Sequence, residues 1–495
     1  MNRRKLLQSG FAGLALPTLG RALEQPAKSG TQPNKAGESH TGMRAYVGDL
    51  AYSGSTAPAL VVEPGLPWRL VCWAEAQYVP YWDIDGVWVT TEWFETLGTK
   101  SPYDYEPISD KPLRYTHVEL AEIGPARAVV HWRYALCDTR PEPRVFHDNT
   151  TAEEFHTIYP DGITVRKLVG YPGNGNPVEG PPKMWEVGEM LLILPQGSRL
   201  EDDLDPSGMT ISNIAGDAYR HRFLKTVADS NVFGLPADQL IRSLCTVYPA
   251  SRTWSEYIYV GSLKNRPSPF MVVANNQEFF PHLHCLTCGG DHPESLLWMQ
   301  PFLWKHYPQF HGEYHIGVEA TEADLQTRSV STSYVTVEPW MHPSFRRNDP
   351  NFPFDPKWNP PRGTTWLMLQ GVNPGDENYP RRLAAAWLHP GGVKATAGRY
   401  LGYVPAERAY RFAAADYRID FELTPAAGYT QINPVVVVED WHHGNPRVTL
   451  DGHEPKAEDV AVSWTGTRLV VWFRRELTAT ARFTIEGWPG LSWMP

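Results

Sequence analysis

Between Arg114 and Tyr171 the chain runs through four short segments whose side chains alternate in character: RYTHVELAEIG, ARAVVHWRYAL, EEFHTIYPDG and ITVRKLVGY. A period of two sends successive side chains to opposite faces of a sheet, so these segments read as strands. Their connections contain Gly-Pro, Asp-Gly and Pro-rich pieces, the punctuation of an antiparallel meander. The same texture precedes them in ALVVEPG, WRLVCWAEA and VPYWDIDGVWVTTEWFET. It returns near the end in VVVVEDW, PRVTLDG, VAVSWTGTRLVVWFRREL and TARFTIEG, with VTLDGHE and WTGTRLVVWF reading as hairpins. One helix is expected, in YPRRLAAAWLHPGG, ended by Gly and Pro. No repeat of fixed period appears, which speaks against a propeller.

The expected fold is therefore all-β with few helices: a large antiparallel β-sandwich of supersandwich-like size, followed by a smaller C-terminal one. A chain of 495 residues is too long for one small core. The expected division is a signal peptide over 1–22, a linker over 23–42, a main domain over 43–390 that holds the site, and a C-terminal domain over 391–495. Composition agrees with a globular β protein: 42% hydrophobic, 20% charged, with 45 Pro, 19 Trp, 23 Tyr and 18 Phe. Bulky core packing explains many of these aromatics, and stacking of sugar rings on indoles is the sharper use of them.

A formal net charge of −10 and the lack of a basic stripe argue against a nucleic-acid partner. The N-terminal MNRRKLLQSGFAGLALPTLGRA pairs Arg3 and Arg4 with a short apolar run and a small-residue site, Gly20-Arg21-Ala22. It resembles a twin-arginine export signal, which implies a periplasmic or secreted protein. The apolar run is too short to span a bilayer and no second one follows, so no membrane span is expected in the mature chain. Five cysteines, an odd number, leave at least one free or ligating.

Alternation sorts the polar side chains by face. Val129, His131, Arg133 and Ala135 share one face of their strand; Val130, Trp132 and Tyr134 share the other. Tyr115, His117 and Glu119 share a face, as do Glu154, His156 and Ile158. If these strands are neighbours, His117, His131, Arg133 and His156 are expected to line one groove. A plain solvated face is the alternative, but histidine and arginine among aromatics are less usual there than Lys, Glu and Thr.

RYTHVELAEIGPARAVVHWRYAL, EFHTIYPDGITVRKL and the closing LAAAWLHPGGVKATAGRYLGYVPAERAYRF, INPVVVVEDW, VTLDGHE and LVVWF together resemble secreted bacterial β-sandwich proteins of polysaccharide-utilisation loci. Among these the likeness is to polysaccharide lyases and related proteins of ulvan and uronate degradation. It covers most of the mature chain, and it is one of pattern. Sandwich-plus-toroid lyases also carry a large α/α barrel, for which this chain has too few helical segments, so their catalytic residues are not carried over. The resemblance implies a β-sandwich acting on an anionic polysaccharide or oligosaccharide.

Uronate β-elimination needs a group that neutralises the carboxylate, a base for the acidified proton and an acid for the leaving oxygen. Arg, Asn or a metal suits the first role, and His or Tyr the others. His131 and Arg133 fit this on one strand face, with His117, His156 and Tyr115 to complete the site. Glycoside hydrolysis would instead need two facing carboxylates, for which Asp83, Asp85, Glu92, Glu186 and Glu189 are the candidates. Asp83 and Asp85 read more simply as a turn with surface acids. A non-catalytic glycan-binding protein is the third reading.

The densest cluster is HLHCLTCGGDH, residues 282–292. His282 and His284 fall on one face if the segment is extended. His292 or Asp291 can fold back over Gly289-Gly290, with Cys285 or Cys288 as a further ligand, and zinc suits such a set. A Cys285–Cys288 disulfide and a site with neither metal nor disulfide are the alternatives. Nearby Asn275, Asn276, Gln277, Trp298, Trp304, His306 and Tyr307 are expected to form a polar, aromatic wall. Arg346 and Arg347, and the Arg220-His221-Arg222 run, can meet carboxylate or sulfate groups, although surface ion pairing is the commoner fate of such residues.

Overall fold

The structure is a computed structural model. It describes residues 42–221 apart from 53, 92, 99, 102–103, 139, 141, 174–177, 181 and 199, then 255–274, 280–282, 331–338, 340–341 and 362–488. The chain is all-β, and the described residues from Gly42 onward belong to one compact unit.

The four alternating segments between Arg114 and Tyr171 form the strands His117–Gly124, Arg127–Ala135, Thr151–Ile158 and Thr164–Tyr171. They lie side by side in that order, each antiparallel to the next. Strand Thr364–Asn373 pairs with the last of them and continues a nine-stranded sheet. An eight-stranded sheet that begins with Arg44–Tyr52 and Ser55–Glu63 faces it, and a five-stranded sheet adds to the same core. That core is aromatic and aliphatic: Trp88, Trp132, Trp185, Trp366, Tyr81 and Leu191 are all buried in it. Bulky β-branched and aromatic side chains on one face of each sheet drive this packing.

Helix Tyr379–Leu388 lies on the other face of the nine-stranded sheet. Its Leu383, Ala384, Ala386 and Trp387 pack onto Val165, Leu369, Val272 and Ile258. Those four residues form a single row across the sheet, because Val165, Leu369, Val272 and Ile258 pair in turn. The helix therefore covers part of the outer face and leaves the rows nearer His117 uncovered.

Strands from Gly392 onward pair only among themselves. They build a four-stranded and a five-stranded sheet around Phe412, Phe421, Val436, Val438, Leu469 and Phe483. In the five-stranded sheet, Ala409–Ala413 and Val435–Glu439 run parallel.

Candidate functional site on the outer face of the nine-stranded sheet

Two rows of side chains cross the uncovered part of the outer face. Register sets the first as Glu119, His131, Phe155, Lys167 and Leu367, and the second as His117, Arg133, Glu153, Val169 and Thr365. These rows carry the chemistry because directly opposed residues in neighbouring strands place their side chains in contact range.

The imidazole of His131 is the centre of the arrangement. Its Nδ1 donates to Glu119 Oε1 at 2.9 Å, a hydrogen bond that turns Nε2 into the acceptor nitrogen. Nε2 is buried and makes no hydrogen bond; Glu153 Oε2 is 3.8 Å away. The ring lies parallel to Phe155, centroids 4.4 Å apart, and the Lys167 ammonium sits 5.5 Å from the same phenyl ring. Phe155 is thus flanked in its row by the imidazole on one side and by the ammonium over its ring on the other. Arg133 and His117 are exposed. Among the described residues neither makes a hydrogen bond or an ion pair, although Glu153 stands opposite Arg133 in register. Tyr115, 40% exposed, lies in the loop leading into the first strand, where its backbone N–H donates to Asp110 Oδ2 at 2.7 Å.

His156 departs from the expected groove. It pairs with Val130, whereas His131 pairs with Phe155, so His156 points to the inside of the sandwich. There it joins a closed polar network. Glu154 receives both Nε and Nη2 of Arg166 at 2.7 Å, the Tyr134 hydroxyl at 2.7 Å and His156 Nε2 at 3.1 Å. Gln370 Nε2 donates to His156 Nδ1 at 3.3 Å, and Gln370 in turn accepts from the Thr91 hydroxyl. Arg166 Nη1 donates to the Thr91 carbonyl at 2.8 Å, tying the nine-stranded sheet to the segment after strand Val87–Thr90. Burial is the largest single influence on Glu154 and by itself would raise its pKa. The adjacent Arg166 guanidinium and the donors from His156 and Arg166 outweigh it and hold the carboxyl at about 2. Burial lowers the pKa of His156, only partly opposed by Glu154, and raises that of Tyr134 well above the ordinary phenol. Every one of these groups is fully or nearly fully buried and satisfied, so the network is a structural tie and not a surface for a large substrate.

Of the carboxylates considered for hydrolysis, Asp83 and Asp85 are both accounted for by one turn. Asp83 is bound to Arg69, with Nη2 at 2.9 Å, and its other oxygen accepts the Gly86 amide at 3.0 Å. Asp85 sits in the following turn at φ 51°, with its side chain 87% exposed. Asx capping of a tight turn accounts for both. Strands Pro182–Glu186 and Gly188–Ile193 hold positions 186 and 189, and Glu92 lies outside the described residues.

Asn275, Asn276, Trp298, Trp304, His306, Arg346, His284, Cys285, Cys288 and His292 also lie outside the described residues. His282 ends the short strand Phe280–His282, which pairs with Ser331–Glu338. Among the described residues no group of three or more His, Cys, Asp or Glu is placed to hold a metal ion, and no helix is long and apolar enough to cross a membrane.

Phe155 and Lys167, which stand beside His131 in its row, are not distinguished by the sequence alone. Their signal was strand alternation, and it becomes readable only once neighbouring strands are in register. A scan against protein-family models finds no match for the chain, and a search of curated proteins finds no relative.

Proposed function

We propose that this chain is a secreted polysaccharide lyase that cleaves a uronate-containing anionic glycan by β-elimination. The observation that carries the reading is an imidazole oriented by a carboxylate and stacked on Phe155, with Lys167 in its own row and Arg133 in the next. Arg133, with His117, would bind and neutralise the uronate carboxylate. His131 Nε2, once substrate displaces the side chains that bury it, would take the proton from the carbon next to that carboxylate, while Glu119 holds the ring and stabilises its charged form. The bond from the neighbouring carbon to the glycosidic oxygen would break, a carbon–carbon double bond would form, and the leaving oxygen would take a proton from Tyr115. The resemblance to secreted β-sandwich proteins of uronate degradation, and an N-terminus like a twin-arginine signal, agree with this reading.

The test is a panel of uronate-containing glycans, followed by ultraviolet absorbance of the conjugated, unsaturated product. Activity on at least one glycan is expected, and His131→Ala should remove it by a factor of roughly 100 or more, since general-base catalysis typically contributes 10²–10⁴-fold. Reducing ends released without that absorbance would show hydrolysis instead. Full activity in His131→Ala, with the fold intact, would remove His131 from the mechanism.

A further inference from the structure

Two tryptophans stand out in the C-terminal sandwich. Trp464 is 42% exposed and Trp488 is 67% exposed, whereas the other tryptophans with described side chains are buried. The two flank the same turn, Trp441–Gly444. Trp464 Nε1 donates to the carbonyl of Trp441 at 3.2 Å, and the backbone N–H of Trp488 donates to the carbonyl of His443 at 3.3 Å. Between them the turn exposes His442.

The turn is held rigidly. Trp441 is buried; its backbone N–H donates to Thr467 and its indole N–H to the carbonyl of Gly444 at 2.7 Å. His443 packs edge-on to its ring at 5.3 Å. Position 487 admits only glycine, because a Cβ there would lie 2.4 Å from His443 Cβ and 2.8 Å from the Trp441 ring. That close approach holds the backbone at Trp488 against the turn, where its N–H reaches the His443 carbonyl. The backbone N–H of Gly487 also donates to Tyr417, next to the exposed Asp416.

We infer that Trp464, His442 and Trp488 form a binding site for a neutral, pyranose-containing glycan, separate from the face around His131. The Trp464 indole, fixed in advance by its hydrogen bond, loses little side-chain freedom on binding, and both indoles match the C–H face of a pyranose ring. His442 and Asp416 lie beside them to meet the hydroxyls at the ring edge. Two separate indoles broken by polar groups fall far short of the apolar core of a stable protein interface, which buries on the order of 1,200 Å² or more. Asp416 and Asp440, both exposed beside the site, disfavour a uronate and favour an uncharged chain.

The test is affinity electrophoresis of the full chain in gels containing mixed-linkage β-glucan, xyloglucan or galactomannan, with polygalacturonate as the anionic comparison. Retardation by at least one neutral glycan is expected. Trp488→Ala should weaken it about tenfold or more, Trp464→Ala likewise, and Trp464→Phe should restore most of it. Arg133→Ala should leave it unchanged, which separates this inference from the elimination reading. No retardation by any neutral glycan, or equal retardation of wild type and both alanine variants, would overturn it. So would a dimer in sedimentation that Trp488→Ala abolishes, since a second copy would then be the occupant.

Discussion

Glu154 illustrates how a single residue ties the fold to pH. Its carboxyl, held at about 2 in the folded chain, titrates near the ordinary carboxylate value of ~4.3 when unfolded. A depressed acid stabilises the fold above its unfolded pKa, and that stability is lost as pH falls from ~4.3 through about 2. His156 acts in a higher window. Burial lowers its folded pKa, so the unfolded state binds the proton first, and stability declines as pH drops below the unfolded value of ~6.5. Glu154→Gln should cost about 3 kcal/mol or more in urea unfolding at neutral pH, because it strands the buried Arg166. His156→Gln should flatten the pH dependence of the midpoint below pH ~6.5. An unchanged slope would mean that His156 is not neutral in the fold. At this scale the sequence was partly legible. His131 and Arg133 share a face because they lie two apart on one strand. The face of His156 depended on which residue stood across from it. A strand's own sequence does not contain that register, and a slip of one residue exchanges the faces.

The strand Val435–Glu439 shows the same limit for a whole element. Its four valines read as a strand but do not alternate, and all four are buried. Val436 and Val438 face the interior of the C-terminal sandwich. Val435 and Val437 face the other way, onto Ala126 and Tyr159 of the main sandwich. A run without polar positions is the mark of a strand covered on both sides, and here it pairs in parallel on one edge. Helix Tyr379–Leu388 was legible for the opposite reason, since its apolar residues recur on one face and Pro390 follows its C-cap His389. Val436→Thr and Val437→Thr should each cost about 1–3 kcal/mol, whereas in a half-exposed strand one of two adjacent substitutions would be nearly silent. Gly188 makes the comparable point for the large core. A Cβ there would lie 2.8 Å from the Thr91 carbonyl and 3.1 Å from Arg166 Nη1. Gly188→Ala should therefore destabilise by about 1–3 kcal/mol, as overpacking does, with thermal unfolding as the readout.

Across the whole molecule, the two sandwiches are joined by buried charge as well as by apolar contact. Arg408 of the C-terminal part is 3% exposed and reaches Asp161 of the main sandwich at 2.8 Å, with its guanidinium 4.9 Å from the Tyr159 ring. Asn433 donates to the same Asp161 oxygen at 2.9 Å. Arg127, fully buried, is bound bidentately by Glu122 and reaches Glu407 at 3.4 Å, while Glu407 also receives Arg468 and Arg411. Ser463 Oγ accepts the Ala126 amide at 2.8 Å, and Gly124 leaves no room for a side chain beside it. An interface of this kind couples the stabilities of its two sides, so a single calorimetric transition is expected for the intact chain. Asp161→Ala should strand the Arg408 charge at a cost of about 3–5 kcal/mol and split the transition in two. High salt should change this little, because the pair is buried and poorly screened. A second consequence follows from the valines. Residues 391–495 expressed alone would expose Ala409, Val435, Val437, Val470 and Trp472 as one apolar patch. That piece should self-associate or precipitate, and Val435→Lys with Val437→Glu should render it monomeric while destroying the intact chain. A fragment that is monomeric and stably folded without those changes, together with two transitions in the wild-type chain, would show that the sandwiches are independent and that the buried ion pairs merely dock them.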